Sequence, residues 1–279
     1  MDSSRHFEGK PTHRLSVARA VSLAIVLGVS VLVMMGTYGM ADVRYAEPGD
    51  LTCSLLLTSS GAITAGEPVI ARVEIVNRSS ETIRIWSGGT FLDVYGSDGT
   101  LLASMPRPRN VMDFMYSTRD LAPGESYSKL LIVTGLYQFA TPGTYGVRVQ
   151  QLGLPREPAV LCENTVSIQV LPYSSSQLEA ACDELFMPMR RHSSFGDVPL
   201  STRAKALYSV RDDVVLPYLD WMAREWGDRY ACRAMRRVRT SRAEALLAAL
   251  TTRTDRVGDA ARQALEMPLT STSWDVEGE

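Results

Sequence analysis

The chain has 279 residues and a formal net charge of −2, with 45% hydrophobic and 22% charged residues. This composition belongs to a folded chain of one large or two ordinary domains and excludes a disordered one. The near-neutral balance supplies no field to draw nucleic acid, so no nucleic-acid partner is expected. His6 and His13 precede the first apolar run, which leaves His192 alone in the rest and excludes a multi-histidine metal site there. Lysine occurs only at Lys10, Lys129 and Lys205, the other basic residues being arginine. A local excess of arginine therefore carries little functional weight.

Residues 1–19 form a basic leader, with Arg5, Lys10, Arg14 and Arg19 against Asp2 and Glu8. Residues 20–41 carry no charge. As a helix at about 1.5 Å per residue, this run reaches roughly 33 Å, enough to cross a bilayer core. The basic flank before it and Asp42 after it place residues 42–279 outside the cytoplasm. Two readings stay open. Residues 20–41 are either an uncleaved signal anchor, giving a single-pass membrane protein, or a signal peptide cut after Gly39-Met40-Ala41, giving a periplasmic or secreted one.

Residues 48–172 read as an antiparallel β-sandwich. Strands are expected at Leu51–Thr58, Pro68–Asn77, Thr82–Trp86, Phe91–Tyr95, Thr100–Ser104, Tyr127–Thr134, Gly143–Gln150 and Asn164–Leu171. In the second of these, Val69, Ala71, Val73 and Ile75 share one face, with Arg72 and Glu74 on the other. Gly96-Ser97-Asp98-Gly99 is a hairpin signal. Tyr145, just after Pro142-Gly143, sits where a tyrosine corner ties its hydroxyl back to the main chain, or is an ordinary strand tyrosine.

Four short motifs carry a resemblance: Ala65-Gly66-Glu67-Pro68-Val69, Val76-Asn77-Arg78-Ser79-Ser80-Glu81, Leu121-Ala122-Pro123-Gly124-Glu125-Ser126 and Pro142-Gly143-Thr144-Tyr145. Together they resemble the immunoglobulin-like modules of bacterial exported proteins and are similar to proteinase-inhibitor-like sandwiches. The resemblance implies a fold and no catalytic residues. Between the strands, Met105–Tyr116 is a long loop whose Arg107, Arg109, Met112, Phe114, Met115 and Tyr116 either contact a partner protein or fold back to cap the core.

After the linker and cap signal Pro172–Ser176 the period changes to about 3.6, and residues 177–267 read as helices, followed by a tail at 268–279. Helices are expected at Gln177–Met187, Thr202–Val210 capped by Ser201, Asp213–Trp226, Arg229–Val238, Arg242–Leu250 and Val257–Met267, with Pro188–Pro199 irregular. Glu244 stands at a capping-box position. Ala206-Leu207-x-x-Val210-Arg211 recurs as Ala234-Met235-x-x-Val238-Arg239, with a weaker copy at Ala264-Leu265. This resembles a short HEAT-like array; a plain helical bundle stays open. So few repeats leave apolar ends uncovered, so the array is expected to pack on the sandwich or on another chain.

Little in the sequence carries chemistry. Arg229, Arg233, Arg236 and Arg237 lie on neighbouring helical turns and form either a basic ridge or an ordinary solvated face. Cys53, Cys162, Cys182 and Cys232 are candidate disulfide cysteines outside the cytoplasm, or else buried thiols; Cys53 and Cys162 meet if the first and last strands run side by side and parallel. No nucleophile elbow, Walker loop, dinucleotide motif or HExxH is present. No metal, cofactor or catalytic residue is expected. The fold class is α+β multidomain: a transmembrane or signal helix, an Ig-like sandwich, then a HEAT-like helical array. The expected function is that of a non-enzymatic exported or membrane-anchored binding or scaffold protein of the bacterial cell envelope, contacting a protein partner or an envelope polymer. A protease inhibitor built on the sandwich and an enzyme with scattered carboxylates are the alternatives.

Overall fold

Alternation of apolar and polar residues along the middle of the chain produces sheets with one dry face each. The computed structural model describes residues 43–47, 49–58, 62–86, 90–103, 118–152, 164–191 and 197–267. From Arg44 onward the chain forms one unit. Residues 1–42, the contact loop at Met105–Tyr116, Cys162, His192 and the tail 268–279 lie outside the described residues. Among those described, no helix is long and apolar enough to cross a membrane.

Ten strands are described: β1 (Arg44–Tyr45), β2 (Leu51–Leu57), β3 (Ala62–Thr64), β4 (Ile70–Asn77), β5 (Ile83–Trp86), β6 (Thr90–Tyr95), β7 (Thr118–Leu121), β8 (Ser126–Ile132), β9 (Gly143–Leu152) and β10 (Val166–Leu171). They form a β2-β4-β8 sheet, a β3-β10-β9-β6 sheet and a small β1-β5-β7 sheet. The first is antiparallel throughout; in the second, β3 runs parallel to β10. The sequential position of β2, β4 and β8 in one sheet and of β6, β9 and β10 in the other is that of strands A, B, E and C, F, G of an immunoglobulin-like sandwich. Leu55, Val73, Ile83, Val94, Val147 and Ile168 meet in a single core, each burial contributing about 1.5–3 kcal/mol. The Tyr145 hydroxyl donates to Thr141 O at 2.8 Å, so the tyrosine corner is present.

The structure departs from expectation in places. Of the expected strand Thr100–Ser104, residues 100–103 are described and form no strand: after the Gly96–Gly99 turn only a bridge between Leu101 and Tyr95 forms. Asp98 Oδ1 accepts from both Thr100 N and Thr100 Oγ1 and holds the chain in the turn. The strands β1, β3 and β7 carry no period in the sequence, being two to four residues long. The segment Pro172–Ser176 caps a helix, as expected, but is no free linker. Thr64 Oγ1 donates to Pro172 O at 3.0 Å and accepts from Ser174 N at 2.9 Å.

Six α-helices follow: α1 (Ser175–Arg190), α2 (Leu200–Ser209), α3 (Leu216–Glu225), α4 (Arg229–Val238), α5 (Ser241–Leu250) and α6 (Arg256–Glu266). Ser174, Asp228, Thr240 and Asp255 cap four of them by accepting main-chain N–H bonds. Ser201 is no cap: α2 begins a residue earlier, with Pro199 at its head. The expected single helix Asp213–Trp226 is a 3-10 turn at Asp213–Val215, capped by Asp212, running into α3. Helix α1 continues through Pro188 rather than stopping at Met187. Proline has no N–H for the Glu184 carbonyl; Arg203 Nη1 donates to that oxygen instead, at 3.2 Å. Glu244 does not complete a capping box, since its carboxylate pairs with Arg236 at 2.8 Å.

Helices α2, α4 and α6 stack on one another, with α3 against α4 and α5 against α6, over one apolar core. The first end of the stack is closed by the sandwich: α2 packs on β8 and on the 3-10 turn Val133–Gly135. A buried relay ties them. Ser209 Oγ donates to Ala206 O at 2.7 Å, so Thr134 Oγ1 donates to Ser209 at 3.0 Å and itself accepts from Val69 N at 3.1 Å. At the other end, α6 turns Arg256, Asp259, Arg262, Gln263 and Glu266 outward, all exposed. The helical part thus packs on the sandwich.

Candidate functional site

Two turns in the sandwich share one chemistry. In the first, Glu67 follows Gly66 (φ 88°), and its Oε2 accepts from Thr64 N at 2.9 Å. In the second, Glu125 follows Gly124 (φ 75°), and its Oε2 accepts from Ala122 N at 2.9 Å. Each glycine supplies the positive φ and each glutamate ties off the turn. The two carboxyls nevertheless titrate in opposite directions. Glu125 is held below the usual carboxylate range by the Ala122 N–H and by Arg119. Glu67 is pushed above it, first by burial and then by the charge of Glu184, with the Thr64 bond opposing.

Burial of Glu67 comes from the helices. A cleft of about 490 Å³ lies between the sandwich and α1–α2. Its sandwich side is Leu56 and Leu57 of β2, Ala62, Pro68, and Ile70 and Arg72 of β4; its helical side includes Ala181, Glu184 and Leu185 of α1, Asp197, Val198 and Arg203. Leu56 sits opposite Arg72 in the β2–β4 register and is 52% exposed. Both guanidiniums are engaged. Arg72 Nη2 donates to Asp197 O at 3.2 Å and pairs with its carboxylate at 3.6 Å. Arg203 donates to Val198 O at 3.1 Å and to Glu184 O. Among the described residues neither Glu67 nor Glu184 forms a salt bridge. The cleft mixes apolar side chains with three carboxylates and two guanidiniums, a formal excess of one negative charge.

The residues singled out from the sequence fall elsewhere. The four ridge arginines occupy the side of α4 opposite its buried Ala231, Cys232, Ala234, Met235 and Val238. Arg236, its side chain only 15% exposed, ties α4 to Glu244 of α5 and to Met267 O. Arg229 lies over the Tyr230 ring at 5.1 Å, and Arg233 and Arg237 are half-buried. Burial, and after it the charges of Arg237 and Arg239, lowers Arg211 to about 10. Cys53 is disulfide-bonded. Asn164, two residues beyond Cys162, clamps the Leu55 main chain, accepting from its N–H at 2.9 Å and donating to its carbonyl at 2.7 Å. Cys162, the expected partner of Cys53, lies outside the described residues. Cys182 and Cys232, candidates for a second bridge, are free thiols instead. Each is enclosed by its own helix packing, and burial pushes both thiols up to about 12. Among the described residues no cluster of three or more His, Cys, Asp or Glu is placed to hold a metal.

No known protein family and no curated protein matches this chain. Among solved structures, the CARDB domain of a Pyrococcus furiosus protein, in complex with di-metal ions, is 15% identical over 48% of this chain and 97% of its own, with a TM-score of 0.26. A Listeria innocua β-glucosidase in complex with isofagomine is 15% identical over 48% of this chain and 18% of its own, with a TM-score of 0.27. Likeness at this level bears on neither the site nor its chemistry.

Proposed function

We propose that the chain is a non-enzymatic, exported or membrane-anchored binding protein, and that the cleft between sandwich and helices is where it meets its partner. The observation that carries this reading is the cleft itself: a concave site lined by both apolar and charged side chains, among them a leucine that is 52% exposed. The disulfide at Cys53 supports an oxidising compartment. The first strand begins at Arg44, so removal or retention of residues 1–41 leaves every described strand intact. The helical part reads as a short HEAT-like array: Ala206, Leu207 and Val210 of one copy and Ala234, Met235 and Val238 of the next are buried at matching positions.

The test is capture from envelope fractions with the tagged full chain and with Leu56→Ser, which changes an exposed side chain. Parent recovers a partner and the variant loses it at unchanged melting temperature; equal recovery by both rejects the cleft as the contact. A second reading, an enzyme with scattered carboxylates, is favoured by one observation, the raised Glu67 beside Glu184.

A further inference from the structure

We infer that the cleft takes a cationic side chain carried on an apolar stretch of a partner polypeptide: an arginine or lysine flanked by aliphatic residues. The inference rests on the binding reading and names the class of partner. The groove supplies the apolar half. Leu56, Ile70 and Leu185 line it, and Leu56 presents half its surface to solvent. Charge supplies the other half. The cleft holds the carboxylates of Glu67, Glu184 and Asp197, and its two guanidiniums are engaged by Asp197 and by main-chain carbonyls. Three carboxylates thus face two guanidiniums in one cavity, an excess of one negative charge, and among the described residues neither Glu67 nor Glu184 is in a salt bridge.

The Glu125 turn shows that this charge belongs to the site and not to the turn. The same Gly-Glu turn, away from the cleft and beside Arg119, carries a carboxylate at ease. Only at Glu67 does the fold draw the carboxylate into a half-buried place beside a second acid. A cation entering there relieves the repulsion between the acids and is held in a partly desolvated setting, where a charge pair outweighs its exposed equivalent. A polyanionic envelope polymer meets the opposite field and is disfavoured.

The test is fluorescence anisotropy with the full chain and two labelled hexapeptides, one of alternating leucine and arginine, the other with citrulline, the neutral isostere, for each arginine. The arginine peptide is expected to bind at least about tenfold more tightly than the citrulline peptide. Glu67→Gln with Glu184→Gln, which keeps an acceptor for Thr64 N, should erase that difference, while Glu125→Gln should preserve it. Equal binding of the two peptides to the parent, both weakened by Leu56→Ser, overturns the cationic inference and leaves the binding reading standing. Binding of neither peptide, together with partner capture untouched by Leu56→Ser, overturns both. A difference that survives the double variant places the cation elsewhere and also overturns the inference.

Discussion

Asn77 illustrates how much one side chain settles. It is 1% exposed. Its Nδ2 donates to Glu81 O and Leu121 O, and its Oδ1 accepts from Ser79 N and Ser79 Oγ. This explains why the turn between β4 and β5 needs Asn-x-Ser: the amide replaces ladder bonds that the turning chain gives up. Glu67 does comparable work for the β3–β4 turn but under a burden, because its ionised form is the disfavoured one. The sign follows. A carboxyl whose folded pKa is raised weakens the fold as pH climbs through the carboxylate range, and its contribution is most favourable below the unfolded value, about 4.3. Glu67→Gln should therefore melt at or above the parent temperature at neutral pH, with the advantage fading below about pH 4. A greater loss at neutral pH than in acid contradicts this account of Glu67.

Among the elements, α1 shows how a proline is tolerated inside a helix. Pro188 deprives the Glu184 carbonyl of its donor, and Arg203, arriving from α2, replaces it. Arg203→Met should cost about 1–2 kcal/mol in the parent. In a Pro188→Ala background, where the substituted alanine regains an N–H that reaches the same carbonyl, it should cost less, with a coupling of about 0.5–1 kcal/mol. Denaturant melts of the four proteins give the cycle, and strict additivity removes Arg203 from this role. Helices were legible in the sequence wherever a cap and a 3.6-residue period coincided, as at Asp228 with α4. Pro188 was misleading because its remedy lies on another helix, among residues that show no local pattern. Strands β3 and β7 were illegible for a related reason: three or four residues cannot display a period, and their pairing partners are distant.

At the scale of the molecule, two structurally unlike parts share a boundary. The relay from Val69 through Thr134 and Ser209 to Ala206 leaves no buried hydroxyl in it without a partner, and α2 packs on β8. The exposed face of α6, with Arg256, Asp259, Arg262, Gln263 and Glu266, is polar and finishes the other end of the helical part. The cysteines follow the same division. Unfolding without reductant should expose two alkylatable thiols, Cys182 and Cys232, and reduction should raise the number to the four that the sequence contains. Mass spectrometry after alkylation reads this directly; four thiols without reductant contradicts the bridge at Cys53.

The residues by themselves determined the kinds of structure and their order. An alternating pattern with Gly-Glu and Pro-Gly turns dictates paired strands, and capped apolar periods dictate helices, because both depend on neighbours within a few positions. The cleft was decided only by tertiary structure. Glu67 and Glu184 are far apart along the chain, and in sequence Glu67 is indistinguishable from Glu125. Burial and a second charge separate them, and both arise when α1 and α2 close over the outer face of β2 and β4.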